Sequence, residues 1–379
     1  MNTMALGSTG GIELTAFQMA RELAARGHPV SVLGTGGGDL EQSFRAFAEH
    51  VSVHGNFQHT LFSPGQLRAP GDLVRWSLQM TSAVEAARRS RPDVVYANAF
   101  FSLPWALATA AVTHSGIVCH LHGGAGGPVG RQAALWARWV DSFVAPSQFI
   151  RDDWVRNGLS AERVKVITGG VDPVDYPFGD DDARAAARQA LGLPPDTFIA
   201  LFLGRIVPEK GVESLLEAWR RLGLDRADGR LVIVGPGHPG YLRALAAGTD
   251  ATFLPPSTDV LTPLHAADVV VVPSLWEEPF GRVVIEAMVT GRPELASRSG
   301  GNPEILTGRF AGHLFEKGDA TELAALLRGL IGWRDREPGL AARCAAHVEE
   351  HFQLSDRVDG VEALLGQAAG AHHRRAGSL

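Results

Sequence analysis

Two glutamates bracket seven residues in the stretch "SLWEEPFGRVVIEAM", which spans residues 274–288. Glu286 is flanked on both sides by apolar residues, and a carboxylate buried among them costs roughly several kcal/mol unless donors bond to it. The vicinal hydroxyls of a ribose would satisfy both of its oxygens. Glu278 lies in the loop before the predicted helix, where it could accept from hydroxyls of a second sugar or merely complement the helix dipole. The backbone amides of Phe280 and Gly281 at the helix start suit negatively charged oxygens.

Two cations lie in another loop that could bind an anion. The stretch "FLGRIVPEKG", residues 202–211, places Arg205 and Lys210 directly after a predicted buried strand. Arginine offers a planar fork to phosphate oxygens and lysine a mobile point charge, so the pair could clamp an anion. The alternative is a solvated loop with ordinary surface cations, and this loop alone does not decide between the two.

Apolar runs that alternate with helical patterns must position these loops. Runs such as "PVSVLG" and "GIVCHLHG" predict buried strands in the N-terminal half, and "FIALFLGRI" and "DVVVVPS" repeat the pattern in the C-terminal half. This alternation predicts parallel sheets covered on both faces, and 379 residues at about 150 per domain predict two domains. We therefore expect an α/β protein of two Rossmann-like, doubly wound parallel-sheet domains that face a central cleft, with ligands at the carboxyl ends of the strands.

The composition of the chain indicates which classes of partner to exclude and which cellular compartment to expect. The net charge of -6 gives no electrostatic case for nucleic acid or an anionic membrane as a partner. Cys119 and Cys344 lack a metal-ligand spacing, so we expect free thiols in a reducing compartment. No apolar run approaches the roughly 20 residues of a membrane span, and the N-terminus lacks the pattern of a signal peptide. We expect a cytoplasmic protein without membrane association.

Four motifs resemble those of one enzyme family, the retaining glycosyltransferases with the GT-B fold, known as glycosyltransferase family 4 or group 1. These motifs are an N-terminal glycine loop, a GR-x4-KG loop, a Glu-x7-Glu segment and a GG-x-P-E turn, found here at 10–13, 204–211, 278–286 and 300–304. Their order and spacing extend over nearly the whole chain. The resemblance therefore implies the GT-B fold.

The resemblance also implies roles for the residues of the C-terminal half. In the family the second glutamate binds the nucleotide ribose, which implies Glu286, and the first binds hydroxyls of the donor sugar, which implies Glu278. The cations of the loop contact the diphosphate, which implies Arg205 and Lys210.

In the N-terminal half, the resemblance implies that a histidine after a strand touches the donor sugar near its anomeric centre. The stretch "IVCHLHGG" matches that strand and points to His122, whereas we expect His120 to be structural. Gly10 and Gly11 would let backbone amides approach the diphosphate.

The implied activity is that of a retaining, hexosyltransferase-type glycosyltransferase that needs neither a metal nor another cofactor. It would move a sugar from a nucleoside diphosphate sugar, with UDP favoured, to a hydroxyl of a small soluble acceptor bound by the N-terminal domain. The Ala-, Gly- and Arg-rich composition fits a bacterial source and a natural-product acceptor. The alternatives are a nucleotide-sugar epimerase or a phosphorylase on the same fold, or a non-catalytic sugar-nucleotide-binding protein. The sequence does not indicate an oligomeric state.

We predict an N-terminal acceptor-binding domain at 1–176 and a C-terminal donor-binding domain at 177–351. Residues 352–379 should form a helix that returns to the N-terminal domain, followed by a disordered tail. Three features depart from the family pattern: the first strand is short or the start is trimmed, Gly169 replaces an asparagine in "TGGVD", and Glu294 occupies a position that is normally apolar. These departures leave the predicted donor site intact.

Overall fold

Parallel strands joined by helices make up both halves of the chain in the computed structural model, which describes residues 3–4, 10–34, 38–54, 70–126 and 136–376. The chain divides into two units. Unit 1 comprises Met1–Thr168 and Arg357–Leu379, and unit 2 comprises Gly169–Asp356. Two mixed helix-and-strand units with parallel sheets agree with the predicted α/β fold class.

Unit 1 contains two described parallel sheets, with strand orders β1-β2-β3 and β4-β5-β6-β7. Their strands are β1 (Thr3–Met4), β2 (Ser31–Gly34), β3 (His50–Val53), β4 (Val94–Ala97), β5 (Gly116–His120), β6 (Ser142–Ala145) and β7 (Val164–Val166). The helices are α1 (Gly11–Ala25), α2 (Asp39–Arg45), α3 (Pro70–Arg89), α4 (Leu103–Thr113), α5 (Gln148–Arg156) and most of the last helix, α15 (Leu354–Ala376). A short 3-10 turn, Phe100–Ser102, precedes α4.

Unit 2 contains one six-stranded parallel sheet with the strand order β10-β9-β8-β11-β12-β13. Its strands are β8 (Phe198–Leu203), β9 (Gly229–Val234), β10 (Thr252–Leu254), β11 (Val269–Val272), β12 (Glu294–Ser297) and β13 (Leu314–Phe315). The order reverses between β8 and β11, because β9 and β10 extend the sheet on one side and β11 to β13 extend it on the other. Ligands of such sheets bind outside the carboxyl ends of the strands at this reversal.

Helices cover both faces of the unit 2 sheet. They are α6 (Asp181–Ala190), α7 (Val212–Leu222), α8 (Pro239–Ala246), α9 (Leu261–Ala266), α10 (Arg282–Val289), α11 (Asn302–Ile305), α12 (Ala320–Leu330), α13 (Trp333–Arg336) and α14 (Leu340–His351). Side chains of β8 alternate between the two faces: Ile199 and Leu201 join the core on one side, and Ala200 and Phe202 join the core on the other. This burial on both sides explains why β8 reads as a continuous apolar run.

The chain passes from unit 1 into unit 2 at 168–169, before the predicted boundary at 176–177. The reason is a pair of backbone hydrogen bonds within unit 2: the Val171 amide donates to the Phe352 carbonyl at 3.0 Å, and the Leu354 amide donates to the Val171 carbonyl at 3.1 Å. The segment that follows Thr168 therefore belongs to unit 2.

The C-terminal segment corrects a second expectation. Helix α15 continues to Ala376, so most of "HHRRAGSL" is helical where the sequence predicted a disordered tail. Alanine and arginine are good helix formers. The last three residues, 377–379, lie outside the described part. None of the described helices is long and apolar enough to span a membrane.

Candidate functional site

Three loops of unit 2 meet at the carboxyl ends of β8, β11 and β12, where the strand order reverses. They span residues 204–211, 273–281 and 298–301. The Leu275 amide donates to the Glu209 carbonyl at 2.9 Å, which joins the first two loops, and the Gly301 amide donates to the Glu278 carbonyl at 2.7 Å, which joins the second and third. The loops that carry the predicted cations and the first predicted acid are thus connected through backbone hydrogen bonds.

Glycines allow these loops to approach so closely. Gly211 has φ 70°, and a Cβ there would lie 2.0 Å from the Pro273 carbonyl oxygen. Gly300 has φ 51°, and a Cβ there would lie 1.9 Å from the Glu278 carbonyl oxygen. Both positions require a left-handed backbone and leave no room for a side chain. The GR-x4-KG loop therefore needs glycine at 211 and the GG-x-P-E turn needs glycine at 300.

Glu278 and Lys210 form an ion pair at the centre of the three loops. Lys210 Nζ lies 2.5 Å from Glu278 Oε1, and the hydroxyl of Ser274 donates to the same oxygen. Glu278 is buried, with 7% of its surface exposed, and Lys210 also lies over the Trp276 ring, with Nζ 5.1 Å from the ring centroid. One carboxylate oxygen of Glu278 thus accepts hydrogen bonds from both an ammonium group and a hydroxyl.

Arg205 differs from Lys210 although both belong to the predicted pair of cations. Its side chain is exposed, and among the residues that the structure describes we find no hydrogen bond or ion pair to it. The sequence predicted that both cations contact the diphosphate, whereas the structure gives one lysine already paired with Glu278 and one exposed arginine.

The start of helix α10 offers backbone donors beside Glu278. Gly281 precedes the helix with φ 97°, and no acceptor within the described ranges bonds to the amides of Phe280 and Gly281. The Phe280 ring is buried, and a Cβ on Gly169 would lie 2.3 Å from its Cε1 atom. The glycine in "TGGVD" therefore accommodates the Phe280 ring, which accounts for one departure from the family pattern.

Glu286 lies on α10 with 5% of its surface exposed. The hydroxyl of Tyr176 donates to Glu286 Oε1 at 2.9 Å, and the Nε of Arg282 donates to the same oxygen. The sequence predicted that a ligand satisfies both oxygens, and the structure corrects this, because one oxygen already accepts from two protein donors. Nothing in "VDPVDYPF" marks Tyr176 as part of a site, since the segment reads as a linker.

Glu294 is the most buried of the acids in this unit that the sequence singled out. It is 1% exposed, and neither of its carboxylate oxygens has a hydrogen-bond partner in the described chain. Burial raises the pKa of this carboxyl well above its usual range. It begins strand β12, at the end of the sheet opposite the three loops.

In unit 1, His122 follows strand β5 and its Nε2 lies 3.1 Å from Asn98 Oδ1. Asn98 follows strand β4, which pairs with β5, so the rule that polar groups gather after parallel strands could have identified it. His120 is buried; its Nδ1 lies 2.6 Å from the Tyr96 hydroxyl, and its ring stacks on His122 with centroids 3.9 Å apart.

Both histidines are neutral at physiological pH. Burial, with a smaller effect from Arg357, lowers the pKa of His122 to about 3. Burial also lowers the pKa of His120 well below its usual value. A neutral His122 can accept or donate one hydrogen bond beside Asn98, but it brings no positive charge.

The remaining predicted residues are Gly10 and Gly11. Gly10 precedes helix α1 with an extended backbone, and Gly11 is the first residue of the helix. The first amides of α1 have no partner within the helix, as at any helix start. Residues 5–9 and 55–69 of the predicted acceptor-binding domain lie outside the described part. Among the described residues, no three side chains are arranged to hold a metal ion.

Two family models match successive parts of the chain. The model for Glycosyltransferase Family 4 matches residues 9–175, and the model for Glycosyl transferases group 1 matches residues 183–340. The two matched regions correspond closely to units 1 and 2, and together they contain every predicted site residue.

Individual proteins also resemble the chain. A D-inositol 3-phosphate glycosyltransferase from Nocardia farcinica is 36% identical over 236 residues, which are 58% of this chain and 51% of that protein. The chain thus spans about half the length of that relative. A glycogen synthase from Mycobacterium tuberculosis is 28% identical and aligns over 89% of this chain and 85% of that protein. The crystal structure of HepE from Anabaena, in complex with UDP and glucose, covers 96% of this chain and 98% of its own, with a TM-score of 0.81 and 24% identity.

Proposed function

The chain belongs to the family 4, group 1 glycosyltransferases, and from that premise we propose that it transfers a sugar from a nucleoside diphosphate, UDP by preference, to a hydroxyl of a small soluble acceptor. The transfer retains the configuration at the anomeric carbon and requires no metal. The fold that the chain shares with HepE, whose structure contains UDP and glucose, supports this choice of donor.

One observation carries the proposal. Lys210 and Glu278 meet at 2.5 Å where the strand order of the unit 2 sheet reverses, beside the exposed Arg205 and the amides at the start of α10. A sugar diphosphate needs cations and amides for its phosphates and a carboxylate for its hydroxyls. This arrangement supplies all three within connected loops.

The chemistry follows from the charge that develops on the leaving group. The bond between the anomeric carbon and the diphosphate oxygen breaks, and its electron pair leaves with the diphosphate. The acceptor oxygen bonds to the anomeric carbon on the same face, and its proton passes to the departing phosphate. Arg205, Lys210 and the amides of Phe280 and Gly281 stabilise the added negative charge, which is usually the largest contribution to catalysis.

The residues of unit 1 serve the sugar and the acceptor in this proposal. His122 accepts or donates a hydrogen bond near the anomeric centre as a neutral imidazole, and the amides after Gly10 bind phosphate oxygens. The names of the relatives span two kinds of acceptor, an inositol phosphate and a glucan. We favour the small molecule, because the sequence carries no basic amphipathic segment that would suit a membrane-bound acceptor.

The test begins with a thermal-shift screen of nucleotides and UDP-sugars, since a ligand at about 100 times its dissociation constant adds about 2.7 kcal/mol to stability. The stabilising donor is then incubated with an inositol phosphate, with other small polyols and with glycogen, each with and without excess EDTA. NMR of the product gives the anomeric configuration.

We expect an α-linked product from an α-linked donor, formed on a small acceptor and undiminished by EDTA. Conversion of the donor without any acceptor would instead indicate an epimerase, and binding without turnover a sugar-nucleotide-binding protein. Activity that disappears in EDTA and returns with magnesium would refute the metal-free mechanism. Transfer to glycogen alone would refute the small acceptor.

A further inference from the structure

Tyr176 contacts the predicted ribose-binding acid from a distant part of the chain. It lies 110 residues before Glu286 in the sequence, yet its hydroxyl donates to Glu286 Oε1 at 2.9 Å. Tyr176 is 4% exposed, and burial raises the pKa of its phenol further above its usual value. It is therefore a neutral donor throughout the working pH range, fixed in place by the surrounding core.

Arg282 contacts the same acid from within helix α10. It lies four residues before Glu286, and its Nε donates to Glu286 Oε1. Its Nη2 lies 3.3 Å from the Tyr176 hydroxyl oxygen, so each of the three side chains contacts the other two. Burial lowers the pKa of Arg282, but Glu286 and Tyr176 raise it by more, and the guanidinium is charged in any case.

The two donors use the same carboxylate oxygen. A carboxylate oxygen has about two lone-pair positions, and the hydrogen bonds from Tyr176 and Arg282 occupy both positions on Oε1. Within the described part of the chain, no hydrogen bond ends on Glu286 Oε2. Any ligand that bonds to Glu286 must therefore do so mainly through Oε2.

We infer that Tyr176 and Arg282 are positioning residues that hold the Glu286 carboxylate so that Oε2 receives a ribose hydroxyl. This inference rests on the proposed function, in which Glu286 binds the ribose of the donor. A carboxylate whose rotamer is fixed before binding loses less conformational entropy when the nucleotide arrives. Without these donors, Glu286 could still accept a hydroxyl, but it would have to be ordered by the ligand.

The experiment measures how well the full-length protein distinguishes UDP from its 2′-deoxy and 3′-deoxy analogues by calorimetry. For the wild type we expect one analogue to bind at least about 10-fold more weakly, as befits loss of a hydrogen bond to a charged group. Glu286→Gln should bring the ratio of dissociation constants close to one. Tyr176→Phe and Arg282→Leu should each lower the ratio at least about 3-fold, and Arg282→Lys should recover part of it.

Two substitutions in unit 2 serve as controls. Tyr241→Phe on α8 and Arg220→Leu on α7 should leave the ratio unchanged, and melting temperatures show whether each variant is folded.

A wild-type protein that does not distinguish UDP from either analogue would overturn the ribose role of Glu286 and this inference with it. In a second outcome, Glu286→Gln abolishes the wild-type ratio of dissociation constants, but folded Tyr176→Phe and Arg282→Leu retain it. This outcome would overturn the inference alone and leave the proposed function intact. In that case the two residues would stabilise the fold without positioning the acid.

Discussion

Glu278 and Glu294 are both buried acids of unit 2, but their surroundings are opposite. Glu278 is 7% exposed and Glu294 1% exposed. Glu278 accepts hydrogen bonds from Lys210 and from the hydroxyl of Ser274. Neither carboxylate oxygen of Glu294 has a hydrogen-bond partner in the described chain. Glu278 lies at the carboxyl ends of the strands and Glu294 at the amino end of β12.

Burial of an acid therefore does not by itself mark a functional site. A buried carboxylate stays charged only where donors compensate the loss of water. At the carboxyl edge, Lys210 remains partly exposed, and a ligand can share this cation. Burial without such donors raises the pKa of Glu294, which favours its protonated form. We expect substitution at the two positions to affect different properties, activity at one and stability at the other.

The largest expected effect comes from removing a cation at the carboxyl edge. Arg205→Ala or Lys210→Ala should lower turnover by about 100-fold or more, the scale seen when one donor to a developing negative charge is lost. Release of nucleoside diphosphate from the donor measures the rate.

The matched control is Arg220→Ala, which removes an exposed cation of α7 paired with Glu217. Turnover close to the wild-type value in both Arg205→Ala and Lys210→Ala would remove these cations from the mechanism. Because Lys210→Ala also leaves Glu278 without its cation, the melting temperature must be measured alongside.

The next effect separates the two paired acids from each other. Glu286→Ala should weaken binding of the bare nucleoside diphosphate by about 10-fold or more, because it loses a hydrogen bond to a charged group. Glu278→Ala should change UDP binding much less and should lower turnover instead, because Glu278 is proposed to bind hydroxyls of the donor sugar. Calorimetry with UDP and steady-state kinetics with the donor measure the two quantities. Equal weakening of UDP binding in both variants would contradict this division.

A smaller effect, on stability alone, is expected at Glu294. The folded-state pKa is raised, so the unfolded chain releases this proton more readily and wild-type stability declines as the pH rises above about 4.3, the ordinary value for glutamate. Glu294→Leu should therefore raise the free energy of unfolding at pH 7 by about 1–3 kcal/mol. The gain should shrink towards pH 4. Denaturant unfolding at both pH values measures this gain in the free energy of unfolding, with Glu304→Leu on α11 as the control. A gain that is the same at pH 4 and pH 7 would contradict a raised pKa at Glu294.

The smallest expected effect concerns the pH dependence contributed by the two histidines of unit 1, His120 and His122. Since the pKa of His122 is about 3 and that of His120 is also lowered, neither imidazole titrates between pH 5.5 and 8. The pH–rate profile should therefore have no step near 6.5, the ordinary value for histidine. His122→Gln should lower the rate without changing the shape of the profile. A wild-type step near 6.5 that disappears in His122→Gln would show that His122 takes up a proton during turnover.

Much of the fold could be predicted from apolar patterns. The runs "FIALFLGRI" and "DVVVVPS" predicted β8 and β11, because strands buried on both faces are apolar throughout. Strands β3, β7 and β13 were not predicted, and they are short or partly exposed. Their sequences carry little of the pattern that burial imposes.

The site could be predicted only in part. The spacing of the motifs placed Arg205, Lys210 and Glu278 in loops that the structure joins, because glycine positions and strand ends are local properties of the sequence. The partners of the acids could not be predicted, since Tyr176 reaches Glu286 across 110 residues. Whether a buried acid is paired, as Glu286 is, or unpaired, as Glu294 is, depends on such distant contacts.

The backbone hydrogen bonds of Val171 have a consequence for the way this chain can be recombined. Unit 2 is one uninterrupted segment, Gly169–Asp356, and its two ends pair side by side through Val171 and residues 352–354. It can thus be exchanged as a cassette for the equivalent segment of a relative, with only two junctions to join. Such chimaeras would show whether donor preference follows unit 2, as the proposed function requires.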